Sequence, residues 1–328
     1  MSMKDLKMQL KEKKIGKLYL FTGPEQYLVR YYVDEIVKTL LPENVKSLNY
    51  SVFEEKATFK QIEDAVSIYP AFSERRVIVV KESNLFKSGE NQQRYDDFFK
   101  SLPDYICLIF IQSEPDKRTS LYKALKKHAL VIECDWQKAD ALTKWVMKVF
   151  ASYKKQISES DAAFLVNLLE PDMTFMLHEM DKIACYMGEK ILVTRDIISD
   201  VVTKSAKVKI FDLIDAMSQR RMSEAIQIMD ELIEMKEPVP LIMALIGRQL
   251  FILLKTKKLE GKKVPQAEMA KLLGIMPYFM EKTRRQAANF SEDTLKRLAL
   301  KCTETDLAVK TGRIDGRLAI ELLLMEIN

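Results

Sequence analysis

The alternation of strand and helix signals stops at Trp136, and that break constrains the fold more than any other feature of the chain. Before it, LYLF (18–21), LNYSVFE (48–54), RVIVVKE (76–82), YICLIFIQ (105–112) and LVIEC (130–134) read as strands. Residues 24–41, 58–69 and 121–128 between them read as helices, the second opened by a capping box of Thr58 and Gln61. Short, continuously apolar strands fit a sheet covered on both faces, and strands that alternate with helices fit parallel crossovers. The expectation is a parallel, doubly wound α/β domain over residues 1–137.

Beyond Trp136 every periodic segment is helical. Residues 139–155, 160–169, 172–187 and 194–203 make a small helical domain, 138–206, with Ser158 or Ser160 and Asp172 as N-caps and Gly188 as a stop. A charged connector, Lys204–Lys209, leads into a larger helical domain, 207–328. Its helices are expected at 210–220, 223–235, 238–258, 265–273, 277–288, 291–310 and 315–327. Only 9 Gly and 10 Pro in 328 residues suit so helical a chain. No apolar run approaches the roughly 20 residues of a membrane helix, and the charged start MSMKDLKMQLKEKKIGK is unlike a secretory signal, so a cytoplasmic protein without a membrane partner is expected.

Composition narrows the chemistry. Cys107, Cys134, Cys185 and Cys302 are far apart, each in an apolar or helical context, and no C-x-x-C occurs, which favours buried thiols over a zinc or disulfide site. His128 and His178 are isolated, and no metal or cofactor is expected. Residues 204–328 carry 22 Lys+Arg against 17 Asp+Glu, which accounts for the whole net charge of +5. Such an excess permits contact with nucleic acid without demanding it.

Within LYLFTGPEQYLVR (18–30) an apolar strand meets Gly23-Pro24 and then an amphipathic helix, the layout of a phosphate-binding loop G-x-x-x-x-G-K-[ST]. Counted from Gly23, the second glycine falls on Leu28, the lysine on Val29 and the hydroxyl residue on Arg30. The groups that wrap phosphate, neutralise it and hold magnesium are missing. The strand VIVV ends in Lys81-Glu82, so a lysine stands where an aspartate would face the metal. The segment reads as an inactive relic of such a loop or as a plain turn; a working ATPase would need a lysine at position 29.

Three further features stand out. In SIYPAFSERR (67–76) a helix ends before Pro70, and Phe72 follows in a turn-forming setting, either folded onto the core or presented to a partner pocket. In KTGRIDGRLAIELLLMEIN (310–328) Gly312 stops one helix and Asp315 caps the next, whose Leu318, Leu322, Leu323 and Ile327 form a packing face. Arg248, Lys255, Lys257, Lys258, Lys262 and Lys263 cluster, as do Lys282, Arg284, Arg285, Lys296 and Arg297. A solvated face is the simpler reading of both clusters, and Arg248, Lys255, Lys257 and Lys258 are the candidates for DNA phosphate contact.

Together these residues resemble the delta subunit of the bacterial DNA polymerase III clamp loader. The resemblance runs through YLFTGPEQYLVRYYVDEI (19–36), YPAFSERRVIVVKES (69–83), KIFDLIDAM (209–217), PLIMALIGRQLFILLKTK (240–257) and DLAVKTGRIDGRLAIELLL (306–324). It implies an AAA+-like α/β domain with a degenerate phosphate loop, a small helical lid and a helical collar. It implies no catalysis by this chain itself, although the complex is a DNA-directed DNA polymerase. The implied partners are the sliding clamp (the beta subunit), loader subunits of tau/gamma and delta-prime type, and primer-template DNA. The clamp contact would fall on Phe72 and Ala71, and because Ala71 is smaller than the leucine often found there, Tyr69 or Ile68 would supplement it. Another catalytically inactive loader subunit, a DNA-binding protein and a purely structural scaffold are the alternatives.

Overall fold

Side chains along a strand alternate between two faces, so a strand that is apolar at every position needs cover on both. β1 (Leu18–Thr22), β2 (Tyr50–Phe53), β3 (Arg76–Lys81), β4 (Ile106–Gln112) and β5 (Leu130–Glu133) pair in parallel in the order β2-β3-β4-β1-β5. With them run α1 (Ser2–Glu12), α2 (Gln26–Leu40), α3 (Glu43–Asn49), α4 (Phe59–Val66), α5 (Gln92–Lys100) and α6 (Ser120–His128). On one face Leu20, Ile78, Leu108 and Phe110 meet Ile62 of α4, Tyr95 of α5 and Leu121 of α6. On the other, Tyr19, Phe21, Val79 and Ile109 meet Leu6 of α1 and Val33 and Ile36 of α2. Each such side chain contributes roughly 1.5–3 kcal/mol by leaving water, so the double cover is what holds the sheet.

This computed structural model describes residues 2–87, 92–202, 204–262 and 264–326. The chain divides into two compact units, Met1–Trp136 and Gln137–Asn328. The second contains α7 (Ala139–Ser152), α8 (Glu159–Leu168), α9 (Met173–Met187) and α10 (Arg195–Val201). Then come α11 (Ala206–Ser218), α12 (Met222–Glu234), α13 (Val239–Glu260), α14 (Gln266–Leu273), α15 (Met280–Asn289), α16 (Glu292–Lys310) and α17 (Gly316–Met325). The 22-residue α13 is long and apolar enough to cross a membrane by length and composition. Its Ile242, Met243, Ile246, Leu250 and Leu253 are buried in a helical core with Leu213, Leu295 and Leu323.

Several expectations change. Pro24 precedes the N-cap Glu25 instead of entering the first turn of α2. α4 ends at Val66, short of the expected Tyr69. Strand structure does recur after Trp136, as a parallel pair of β6 (Gln156–Ile157) and β7 (Leu192–Val193), too short for any periodicity to announce. Ser158, not Ser160, caps α8, and Asp172 caps α9. Most of the expected connector Lys204–Lys209 is helix, because the Ser205 hydroxyl accepts from the Val208 amide and starts α11 at Ala206. Cys107, Cys134 and Cys302 are buried, and burial pushes their thiols up, to about 12, about 12 and about 11. Cys185 is exposed, contrary to expectation, because α9 buries the stripe Met176, Met180, Ile183 and Met187 and leaves Cys185 off it.

Asp315 caps α17 as expected, accepting from the amides of Arg317 and Leu318. The face that α17 buries is different: Ala319, Ile320, Leu323 and Leu324 are inside, while Leu318 and Leu322 are exposed. At Gly316 a Cβ would lie 2.8 Å from Val239, so the helix approaches the start of α13 closely on this buried side. Thr203, Lys263 and Ile327, named above, lie outside the described residues.

Candidate functional site

Five parallel strands place all their C-terminal ends at one edge of the sheet and all their N-terminal ends at the other. Ligands of open α/β sheets bind at the C-terminal edge, where Gly23 follows β1. Here the backbone amides that follow β1 are bonded within the chain. The Gly23 amide donates to the Ser113 carbonyl (3.0 Å), and the Glu25 amide donates to the Cys134 carbonyl (2.9 Å). Pro24 has no N–H. The Glu25 carboxylate, only 1% exposed, accepts from the Tyr27 amide at the start of α2. A helix N-terminus attracts anions, and here the Glu25 carboxylate supplies one as the N-cap of α2.

Gly23 has a packing role. It sits at φ +110°, and a Cβ would lie 2.4 Å from the Cys134 carbonyl oxygen, so only glycine lets β1 turn beneath the end of β5. Leu28 and Val29 face the sheet core of α2, Val29 buried at the position the lysine would take, and Arg30 is exposed. Lys81 is exposed at the end of β3. The neighbouring Glu82 accepts from the Ser113 amide (2.9 Å), the Ser113 hydroxyl (2.6 Å) and the Gln112 carboxamide (3.0 Å), tying β3 to β4. Among the described residues no three His, Cys, Asp or Glu side chains are grouped to hold a metal ion.

The opposite edge is open and apolar. Phe72 is 91% exposed, and Tyr69 and Ile68 beside it are 76% and 52% exposed. Phe72 also has φ +56°. A bulky side chain in the left-handed region is an outlier that costs on the order of 1–3 kcal/mol and persists only when its surroundings enforce it. The enforcement is visible. The side-chain carboxamide of Asn49, which is fully buried, accepts from the Ala71 amide and donates to the Ala71 carbonyl, both at 2.7 Å. The Arg75 guanidinium donates to the carbonyls of Ile15, Gly16 and Ile106 (3.3, 2.9 and 3.3 Å). Arg76 donates to the Leu48 carbonyl and the Ser51 hydroxyl (3.1 and 3.0 Å). These bonds fasten the segments that enter β1, β2, β3 and β4 to one another. Tyr69 lies on the ring of Tyr105 with centroids 4.6 Å apart.

The structure thus brings Ile68, Tyr69, Ala71 and Phe72 into one patch. Sequence reading passed over Asn49, Arg75 and Tyr105, which support it. Each supporting residue lies before a different strand, and only the parallel sheet gathers them.

On α13, Arg248, Phe251, Lys255 and Lys258 are exposed at spacings of three and four residues and so form one stripe. Lys255 Nζ lies 4.7 Å from the centre of the Phe251 ring, and Arg248 donates to the Gly274 carbonyl (3.4 Å). Lys257 does not join them: at about 100° per residue it falls on the opposite side of the helix from Arg248. Phe251 is a member of the stripe that reading the sequence for charge alone missed.

Comparison with known proteins agrees with this architecture. The family model for the DNA polymerase III delta subunit matches residues 19–135, and the model for the C-terminal domain of that delta subunit matches residues 207–327. The chain is 29% identical over 334 residues to DNA polymerase III subunit delta of Bacillus subtilis (strain 168), covering 98% of this chain and 96% of that one. A solved Bacillus subtilis DNA clamp loader delta protein superposes with a TM-score of 0.79 at 28% identity, over 100% of this chain and 99% of that chain. A Thermotoga maritima RuvB structure aligns far more loosely, with a TM-score of 0.41 at 10% identity over 87% of this chain and 84% of that chain. Matched from the first strand to the last helix by delta-subunit proteins, the chain belongs to the DNA polymerase III delta subunit family of DNA-replication clamp loaders.

Proposed function

We propose that this chain binds the sliding clamp, the beta subunit, through Phe72 and opens it for loading onto primed DNA without hydrolysing ATP itself. The observation that carries the reading is Phe72, 91% exposed and held at φ +56° beside exposed Tyr69 and Ile68. An aromatic residue held out into water in a costly backbone conformation gains its stabilisation when a partner pocket buries it. Opening follows from differential affinity: the anchor shifts the clamp only as far as it binds the sprung interface better than the closed one. Ala71 adds little apolar area, so Tyr69 and Ile68 supplement the anchor. The partners of this chain in the loader are of tau/gamma and delta-prime type, and ATP hydrolysis falls to neighbouring subunits of the loader, a division supported by the occupied amides at Gly23 and Glu25. The proposed arrangement is a sheet domain to residue 137, a lid to 206 and a collar from 207 that joins the ring of subunits, working in the cytoplasm.

The test is a titration of the purified chain with the sliding clamp. Phe72→Ala should weaken binding by at least about 1 kcal/mol, as expected for an interface anchor; unchanged affinity removes Phe72 from the contact.

The basic stripe on α13 supports contact with primer-template DNA in the assembled loader, with Phe251 and Lys255 forming a cation–aromatic pair on the same face as Arg248 and Lys258. Lys255→Ala with Lys258→Ala should lower the salt dependence of loader–DNA binding by a slope of about 0.7–0.9 for each phosphate no longer neutralised. An unchanged slope excludes the stripe.

A further inference from the structure

We infer that Asn49 is a positioning residue for the clamp anchor, its buried carboxamide holding the Ala71 backbone and thereby presenting Phe72. The inference rests on the reading of Phe72 as that anchor. Asn49 is the last residue of α3 and is fully buried. Its Nδ2 donates to the Val45 carbonyl (3.0 Å) and the Ala71 carbonyl (2.7 Å), and its Oδ1 accepts from the Ala71 amide (2.7 Å). One side chain thus pairs with both polar groups of one residue, as a neighbouring strand would. It does so 22 residues away in sequence, at a point the sheet ladder does not reach, because β3 starts only at Arg76.

The bond to Val45 turns the carboxamide into a rigid strut. Both Nδ2 hydrogens are engaged, so the group is oriented from within α3 before it meets Ala71. What it restrains is the residue next to the strained one. Phe72 at φ +56° is disfavoured relative to ordinary backbone by at least about fivefold in population. Without the pair on Ala71, the loop relaxes toward negative φ, and only a fraction of molecules presents the ring outward. Apparent affinity then falls by that fraction, although every contact atom remains. A role confined to fold stability would change the melting temperature and leave the folded chain's affinity untouched.

The experiment is a double-mutant cycle on the full chain, titrated with purified sliding clamp in the absence of nucleotide. The variants are Asn49→Ala, Phe72→Ala and the pair together. Asn49→Ala should bind about tenfold more weakly, and adding it to Phe72→Ala should cost no more than about twofold further. Amide hydrogen exchange at Ala71 should accelerate in Asn49→Ala while exchange in β3 and β4 stays slow. Should Asn49→Ala not fold, Asn49→Asp keeps the acceptor for the Ala71 amide, loses both donors and should also bind more weakly than the parent chain. The inference is overturned if a folded Asn49 variant keeps the parent affinity while Phe72→Ala loses it. It is equally overturned if the two losses simply add. If Phe72→Ala itself binds like the parent chain, the anchor reading fails first and takes this inference with it.

Discussion

At the scale of single residues, backbone conformation separates Gly23 from Phe72, two of the positive-φ positions of the first unit. Gly23 uses its positive φ to pass beneath the Cys134 carbonyl, while Phe72 adopts a positive φ with nothing but solvent around its ring. Replacing Phe72 by glycine relieves about 1–3 kcal/mol of left-handed strain and costs about 0.4–1 kcal/mol through the freer unfolded chain, so fold stability in urea unfolding should hold or rise, by up to about 2.6 kcal/mol. The same change should abolish the proposed clamp contact. A Phe72→Gly chain destabilised by about 1 kcal/mol or more would show that the conformation carries no strain. The presence of an unusual aromatic at 72 was legible in SIYPAFSERR, but its outward direction was not. Asn49 bonds the neighbouring Ala71 and Tyr105 meets the ring of Tyr69, contacts formed across 22 and 36 residues of chain.

At the scale of elements, helices are joined by caps and ion pairs whose partners differ in how local they are. The Thr58–Gln61 capping box was readable because both partners lie within one turn, and both bonds form. The bridge at Asp212 was not readable. This carboxylate on α11 accepts from Lys204 (2.8 Å) and from Lys282 on α15 (2.7 Å), and Lys282 lies 70 residues away. Burial raises the Asp212 pKa, but the two lysines outweigh it and hold the carboxyl below its usual value of 3.8. A folded-state value below the unfolded one contributes stability that is fully present above about 3.9 and lost as the pH falls through the folded value. The urea midpoint should thus drop in that acid range, and Asp212→Asn should remove part of the drop while lowering stability at neutral pH. Parallel pH profiles for the two chains would dismiss the bridge as a source of acid sensitivity. α1, α3 and α5 escaped reading because their sequences are short or strongly charged, and β6 and β7 because two residues show no period.

At the scale of the whole molecule, the first unit keeps a sheet whose C-terminal edge has its Gly23 and Glu25 amides bonded within the chain and whose opposite edge carries exposed Ile68, Tyr69 and Phe72. The purified chain should accordingly bind the clamp equally well with and without ATP, and release no phosphate above a buffer control. Binding that required ATP would contradict a loop whose Gly23 and Glu25 amides are already bonded to Ser113 and Cys134. The sequence by itself determined the sheet, the break at Trp136 and the departure from the phosphate-loop pattern at Leu28, Val29 and Arg30, because each depends on periodicity or residue type within a few positions. It also identified the delta-subunit resemblance, which rests on ordered local motifs. Tertiary structure alone decided which side chains act together. It bonded the Gly23 and Glu25 amides to Ser113 and Cys134, tied β3 to β4 through Glu82, and brought α17 close to Val239 at Gly316 while leaving Leu318 and Leu322 exposed. Above all it set Phe72 in solvent by pairing Asn49 with Ala71. Such outcomes follow from parallel strands that bring distant segments to one edge, and from close approaches of a few ångströms that no spacing in the chain encodes.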